Sequence, residues 1–314
     1  MTYILLLLTL FAVQLAYFHI ANHFNIIDKP NQRSSHTRIT LLGGGIVFYM
    51  GALLFFVLYG FQFPWFFVGL SLIAAVSFAD DIRPQSSKLR LLIHFAAMTC
   101  MFYQLELFSL PWYFSVIAYI LCIGVLNAYN FMDGINGITG AYSFGVLIAL
   151  VYINQYVTPF VDNHFIYIVM LSLVVFNFFN FRKKAKCFAG DVGAISMAFI
   201  IVFLLGLLIL KTGDLSYIVL LAVYGVDTVL TIIHRLILKE NITEAHRKHA
   251  YQIMANELRI PQLIVSTVYA LSQLLIFAGL LFFHDFAYVY LVVVIVLLSI
   301  IYILFKRKYF HLHE

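Results

Sequence analysis

Apolar residues in this chain gather into eleven runs, near 3–22, 41–61, 63–79, 89–104, 112–129, 138–154, 163–181, 192–210, 215–235, 260–283 and 286–305. Polar or basic connections separate them. A bilayer core takes roughly 20 apolar residues to cross. Lipid leaves open backbone groups without partners, so runs of this kind predict helices. The pattern predicts an all-α, polytopic membrane protein of about 11 transmembrane helices. The first run has no basic leader and no small-residue cleavage site, so it reads as a span and not as a removed signal.

Composition agrees. The chain is 63% hydrophobic and 11% charged, where soluble domains carry roughly 25% charged residues. The apolar excess must face lipid. No nucleic-acid partner is expected. A single integral-membrane domain over 1–314 follows, with no linker and no convincing repeat.

The placement of charge matters more than its sum. Lys29, Arg33 and Arg38 share one connection; Arg83, Lys88 and Arg90 another; Arg182, Lys183, Lys184 and Lys186 a third. Arg235, Lys239, Arg247, Lys248 and Arg259 follow, and Lys306, Arg307 and Lys308 close the chain. Of 19 Lys and Arg, only Lys211 falls on the opposite side. The positive-inside rule makes the crowded side cytoplasmic. Eleven spans then put the N-terminus outside and the C-terminus inside, in the inner (plasma) membrane of a bacterium. Cys187, beside Lys186, is expected at the cytoplasmic face within reach of a thiol reagent. With Cys100 and Cys122 it makes an odd, widely spaced set, against a disulfide framework or a zinc site.

Four cytoplasmic clusters exceed what insertion needs. Asp80-Asp81 ends the third run. Adjacent carboxylates repel unless solvated or sharing a cation, and magnesium prefers such oxygens. The plainer reading is a solvated turn before Arg83-Pro84. Asn127, Asn130, Asp133 and Asn136 recur every third residue among Gly134, Gly137 and Gly140. They would form a drifting polar stripe if the helix continued; otherwise they make a Gly/Asn turn. Asp191 in Phe188-Ala-Gly-Asp-Val-Gly193 stands where an acid caps a span. His246, Arg247, Lys248 and His249 suit phosphate oxygens better than zinc, since no third metal ligand is near. A juxtamembrane charge cluster on anionic lipid is the plainer alternative.

Together the clusters supply carboxylates for a divalent metal, cations for phosphate and an amide-rich pocket. In this order they resemble the polyprenyl-phosphate N-acetylhexosamine-1-phosphate transferases. The resemblance runs from Asp28-Lys-Pro-Asn-Gln-Arg33-Ser-Ser-His36 and Gly43-Gly-Gly45, through the Asp pair, to His249. Asn130-Phe-Met-Asp-Gly-Ile-Asn-Gly137 and Gly190-Asp-Val-Gly193 are its specific motifs.

The resemblance implies transfer of a sugar-1-phosphate from a UDP-sugar to undecaprenyl phosphate, releasing UMP, as the first membrane step of a surface glycan. Active-site loops would lie near 23–40, 80–88, 130–137, 182–191 and 236–259. It implies magnesium, or manganese, held by Asp191 and Asn130. Uracil would contact Asn136 and Phe188. Asp80 and Asp81 would lie near the lipid phosphate and metal, with Asp133 also in the catalytic set. His246, Arg247 and His249 would contact diphosphate and sugar. Asn136 and Ala194 stand where many bacterial members carry Asp and Ser, and the three-histidine cluster of the MurNAc-pentapeptide translocases is absent. UDP-GlcNAc or a related UDP-N-acetyl amino sugar is therefore favoured. A homodimer is left open.

Two other classes compete. A secondary transporter would place ionisable groups near the midplane, and Asp227 lies eight residues before Arg235, about 12 Å deeper at helical rise. A non-catalytic lipid-phosphate-binding protein would keep the basic clusters but would not need Asp80, Asp81 and Asp191 together.

Overall fold

A computed structural model describes residues 2–30, 34–242 and 246–312. Asn31, Gln32 and Arg33 of the first motif, and residues 243–245 within the last loop, lie outside the described residues. The long helices are α1 (Thr2–His23), α2 (Ile46–Leu58), α3 (Pro64–Ile82), α4 (Ser87–Gln104), α5 (Trp112–Met132) and α6 (Ile138–Tyr152). They continue with α7 (Asn163–Asn180), α8 (Gly190–Thr212) and α9 (Ala222–Ile237). A single turn, α10 (Ala250–Gln252), precedes α11 (Gln262–Phe282) and α12 (Ala287–Tyr309). Each of the eleven apolar runs coincides with a long helix.

Nine helical stretches among the described residues are long and apolar enough to cross a membrane, which makes this a multi-pass membrane protein. The two remaining helices explain the difference from eleven. α2 has only 13 residues, and α4 carries Lys88, Arg90 and His94 in its first half.

α8 is the central pillar. It has no charge between Asp191 and Lys211, so nothing reserves a face for water. Its most apolar window is 83% buried, against 11% for the stretch containing α12. Aromatic rings lock it to α3: Phe66 stacks on Phe203 at 4.0 Å between centroids and on Phe199 at 5.6 Å. Such pairs are worth about 0.5–1.5 kcal/mol beyond area burial.

A two-stranded ribbon, β1 (Ile27–Asp28) with β2 (Thr40–Leu41), folds the segment after α1 over one end of the bundle. The chain then runs beside the entry to α8. Phe188 N–H donates to Leu41 O at 2.8 Å, Gly44 N–H to Phe188 O at 2.8 Å and Gly45 N–H to Ala189 O at 3.0 Å. Contact is so close that a methyl on Gly45 would sit 2.3 Å from Gly193 Cα. Gly45 and Gly193 are therefore a backbone-on-backbone contact.

The structure corrects the expectation for Cys187. It is fully buried, with its Sγ 2.5 Å from where a Cβ on Gly44 would stand. Burial also pushes its thiol pKa up. An aqueous thiol reagent has no path to it.

Candidate active site

The C-terminal ends of α3 and α5 meet the N-terminal ends of α8 and α11 around one cavity of about 360 Å³. Asp81, Asn130, Asp133, Asn136, Phe188 and Asp191 all line it. These residues come from connections up to 110 positions apart, and helix packing alone unites them.

Asp81 belongs to α3 yet serves α8. Its Oδ1 accepts Asp191 N–H at 2.8 Å and its Oδ2 accepts Val192 N–H at 3.1 Å. First-turn amides lack intrahelical partners, and a carboxylate there also meets the positive end of the helix dipole. Asp191 was expected to cap its own helix; Asp81 does so instead. Gly190 makes the approach possible. It holds φ +71°, and a Cβ there would stand 2.5 Å from Asp81 Oδ2.

Asp191 is thereby free to use its side chain. Its Oδ1 accepts from Asn130 Nδ2 at 2.7 Å, and its Oδ2 lies 3.4 Å from Arg90 Nη2. Arg90 Nη1 donates to Asp80 Oδ2 at 2.9 Å. Asp80 Oδ1 accepts Gln85 N–H at 2.6 Å. Asp80 thus lies directly beside Asp191, and Arg90 bridges the two carboxylates.

The polar stripe does not continue as a helix. α5 ends at Met132, and Asp133 to Gly137 form a turn. Asp133 Oδ1 accepts Thr139 Oγ1–H at 2.6 Å. Burial pushes the Asp133 carboxyl up to about 7, and the neighbouring Asp191 charge adds to this against the Thr139 hydrogen bond. Asn136 is fixed on three sides. Its Nδ2 donates to Arg182 O at 2.9 Å, its N–H to Gln262 Oε1 at 3.0 Å, and its carbonyl accepts from Ser266 Oγ at 2.8 Å. Its Oδ1 is the side-chain atom left for a ligand. Phe188 meets His36 edge-on at 4.8 Å.

His246, Arg247 and His249 do not line the cavity. They lie beside it, across Phe131, which follows Asn130 in sequence. The two histidine rings stack at 5.1 Å, and His246 is 6.4 Å from the Phe131 ring. His246 Nδ1 accepts Lys248 N–H at 3.2 Å, so the ring's proton sits on Nε2. Burial, then the charges of His249 and Arg235, push His246 down to about 3. It is a neutral donor near pH 7. Arg247 pairs with Glu257 at 3.5 Å.

Several residues in or beside the cavity had no assigned role in the sequence reading. Arg90 counted only as a basic residue near the membrane. Gln252 and Gln262 line the cavity, and nothing in their spacing marks them. Ser34, Ser35 and His36 line it too, within the first motif of the resemblance, which gave them no task.

Among the described residues, no three His, Cys, Asp or Glu side chains converge to hold a metal by themselves. Magnesium rarely needs them, since one or two carboxylates plus substrate phosphates suffice. Asn130 and Asp191 are hydrogen-bonded to each other on the cavity wall, and Asp81 and Asp133 line the same cavity. The donor set is all oxygen or amide, which fits a hard cation.

The profile of glycosyl transferase family 4 matches residues 63–209, the stretch supplying Asp80, Asp81, Asp133 and Asp191. A probable undecaprenyl-phosphate N-acetylglucosaminyl 1-phosphate transferase of Bacillus subtilis is 25% identical over 275 residues, covering 79% of this chain and 75% of its own. The undecaprenyl-phosphate alpha-N-acetylglucosaminyl 1-phosphate transferases of Yersinia pestis and Escherichia coli K12 are each 25% identical, over 63% and 59% of this chain. The matches span 61% and 56% of those two proteins, less than two thirds of their length. A phospho-N-acetylmuramoyl-pentapeptide-transferase of Shouchella clausii is 27% identical over 40% of the chain. With the two specific motifs placed on one cavity, the chain is similar to glycosyl transferase family 4 across residues 63–209 and to these undecaprenyl-phosphate N-acetylglucosaminyl 1-phosphate transferases at 25% identity.

Proposed function

We propose that the protein transfers an N-acetylhexosamine-1-phosphate from a UDP-sugar, UDP-GlcNAc or a related amino sugar, to undecaprenyl phosphate. A lipid phosphate oxygen attacks the sugar-bearing phosphorus. The bond from that phosphorus to the bridging oxygen breaks, and UMP leaves with that oxygen. The observation that carries this reading is the meeting of Asp81, Asn130, Asp133, Asn136, Phe188 and Asp191 around one cavity. The reaction would open assembly of a surface glycan such as O-antigen, capsule or another cell-wall polymer.

In this reading Asn130 and Asp191 hold magnesium, or manganese, which neutralises charge on the diphosphate. Asn136 offers Oδ1 to the uracil N–H and Phe188 a ring to stack on. Arg90 keeps Asp80 and Asp191 from repelling each other. His246 and Arg247 lie where they can donate to phosphate or sugar oxygens. The active site faces the cytoplasm, where UDP-sugars occur, and the apolar product stays in the bilayer.

A transporter is disfavoured by Asp227. It is buried, away from the cavity, with both oxygens engaged by protein donors. The deciding experiment is a donor panel: purified protein in detergent, undecaprenyl phosphate, magnesium, and UDP-sugars tested singly for UMP release. Release with one UDP-N-acetyl amino sugar supports the reading. No UMP from any donor would sink it.

A further inference from the structure

A second hollow in the bundle shares no lining residue with the cavity. It is a groove of about 530 Å³ between α6, α7 and α11. Ala141, Gly145 and Ile148 line it from α6, and Thr267, Ala270 and Leu274 from α11. Phe178 of α7 lines it too and is 55% exposed, so the groove opens toward lipid. From Ala141 to Ile148 the helix rises about 10 Å, and from Thr267 to Leu274 the same. One leaflet of hydrocarbon is about 15 Å deep, half of a core of roughly 30 Å. The groove is long enough for a chain within one leaflet and too short for a helix that crosses both.

Arg182, just past the end of α7, also lines the groove. Its guanidinium is held but not neutralised. Nε donates to Phe178 O at 2.5 Å, and the charge lies 4.5 Å from the Phe178 ring centroid. Arg90, Arg235 and Arg247, the other described arginines that are at least partly buried, each pair with a carboxylate. Arg182 has no such partner among the described residues. A cap on the last carbonyls of α7 would explain the bond from Nε, but not the two terminal nitrogens. Those form a planar fork that suits phosphate oxygens.

The same segment backs onto the cavity. The Arg182 carbonyl accepts from Asn136 Nδ2 at 2.9 Å. The Phe181 ring packs so closely on Gly137 that a Cβ there would stand 2.3 Å from it. The Asn136–Gly137 turn thus stands between groove and cavity, and a phosphate on Arg182 is not the one that reacts.

We infer that the groove seats an anionic phospholipid of the leaflet on the cavity side, with one acyl chain between α6 and α11 and the headgroup phosphate on the terminal nitrogens of Arg182. Lys183 and Lys184, exposed beside it, favour a headgroup of net negative charge. A seated lipid holds Phe181 and Arg182 in place, and through them Asn136. The seat does not depend on the transferase reading; its effect on a nucleotide contact does.

The test has two arms. In the first, delipidated protein in detergent is titrated with phosphatidylglycerol, or with phosphatidylcholine of the same chains, and bound lipid is counted by native mass spectrometry. Phosphatidylglycerol should bind at about one per chain and about tenfold or more tighter than phosphatidylcholine. Arg182→Gln should weaken it about ten- to hundredfold, the cost of losing a hydrogen bond to a charged group. Ala141→Trp, which fills the groove and leaves every charge in place, should weaken it as much. The double variant Lys183→Gln with Lys184→Gln should lose less than Arg182→Gln alone. Equal binding of the two lipids, or a lysine variant as weak as Arg182→Gln, would reduce the seat to diffuse surface attraction and overturn the inference. So would a wild type that takes up no phosphatidylglycerol and turns from dimer to monomer with Ala141→Trp, since a second copy would then fill the groove. In the second arm, phosphatidylglycerol added to delipidated wild type should lower the KM for UDP-sugar several-fold, and should not do so in Arg182→Gln. An unchanged KM with lipid bound would overturn the link to Asn136. If the wild type releases no UMP, the transferase reading falls while the titration still decides the seat.

Discussion

The carboxylate of Asp81 accepts the backbone N–H of Asp191 at 2.8 Å, so the first acid of α8 is placed by the last turn of α3. Removing an N-terminal cap costs about 1–2 kcal/mol. Asp81→Ala should lower the melting temperature by a few degrees. It should also release Asp191 from its position. The expected kinetic signature is a large fall in kcat with a raised magnesium requirement, measured by titrating the metal in the UMP assay. A variant with lower stability but unchanged metal response would limit Asp81 to the role of a cap.

Arg90 gives a prediction of opposite sign. It spans Asp80 at 2.9 Å and Asp191 at 3.4 Å. Arg90→Ala removes a positive charge beside the proposed metal. Coulomb interaction at such range is worth about 1–4 kcal/mol in a partly solvated site. Magnesium should half-saturate the variant at a concentration about tenfold lower, while kcat falls because Asp80 and Asp191 lose their tie. Arg90→Lys should not restore kcat, since one ammonium cannot fork between two carboxylates. An unchanged magnesium curve would show that Arg90 and the metal do not interact.

Arg90 also shows where sequence reading stops. The helices were legible because hydrophobic runs of this length have few alternatives in lipid. Asp81, Asp133 and Asp191 stood out because charge is costly at the end of a span. That Asp81 caps α8 was not legible. The bond joins residues 110 positions apart, and no local rule distinguishes it from a solvated pair. Gln262 was hidden for a related reason: a polar residue after a proline at a helix start is ordinary, and its reach to Asn136 depends on how α11 packs against α6. Cys187 was misjudged because neighbouring lysines suggested exposure. The backbone of Gly44 covers it.

The orientation can be checked without Cys187. Lys184 and Lys211 are exposed at opposite ends of the bundle. Single Lys184→Cys and Lys211→Cys variants, made after replacing the native cysteines, should label reciprocally with a membrane-impermeant reagent. Lys184→Cys should react in inside-out vesicles and Lys211→Cys in intact spheroplasts. The reverse pattern would turn the protein over and place the cavity outside.

His246 predicts a pH effect on stability. Its ordinary value is 6.5, and burial with neighbouring charge holds it near 3 in the folded protein. Between those values the unfolded chain binds the extra proton and the folded chain does not. Stability is then fully present above about 6.5 and is lost as pH falls toward about 3. Wild type should lose more melting temperature between pH 7 and 5 than His246→Asn, whose side-chain oxygen can still accept Lys248 N–H. Parallel losses in the two proteins would show that His246 does not titrate differently on unfolding.

Asp80 poses the question of a general base. The nucleophile is a phosphate monoester with a second pKa of about 6, already mostly dianionic at pH 7 to 8. Little proton remains to be taken. The structure points the same way. Both oxygens of Asp80 already accept, one from Gln85 N–H and one from Arg90, and Asp80 is not among the residues that line the cavity, as Asp81 and Asp191 are. We therefore expect Asp80 to act by holding Arg90, and through it Asp191. Asp80→Asn should lose activity to a similar degree from about pH 6 to 9. If Asp80 were chiefly a base, rising pH would let solvent do its work and the variant would recover most of its rate. Strong rescue toward pH 9 would return the role of base to Asp80; a flat deficit leaves it as the anchor of the arginine.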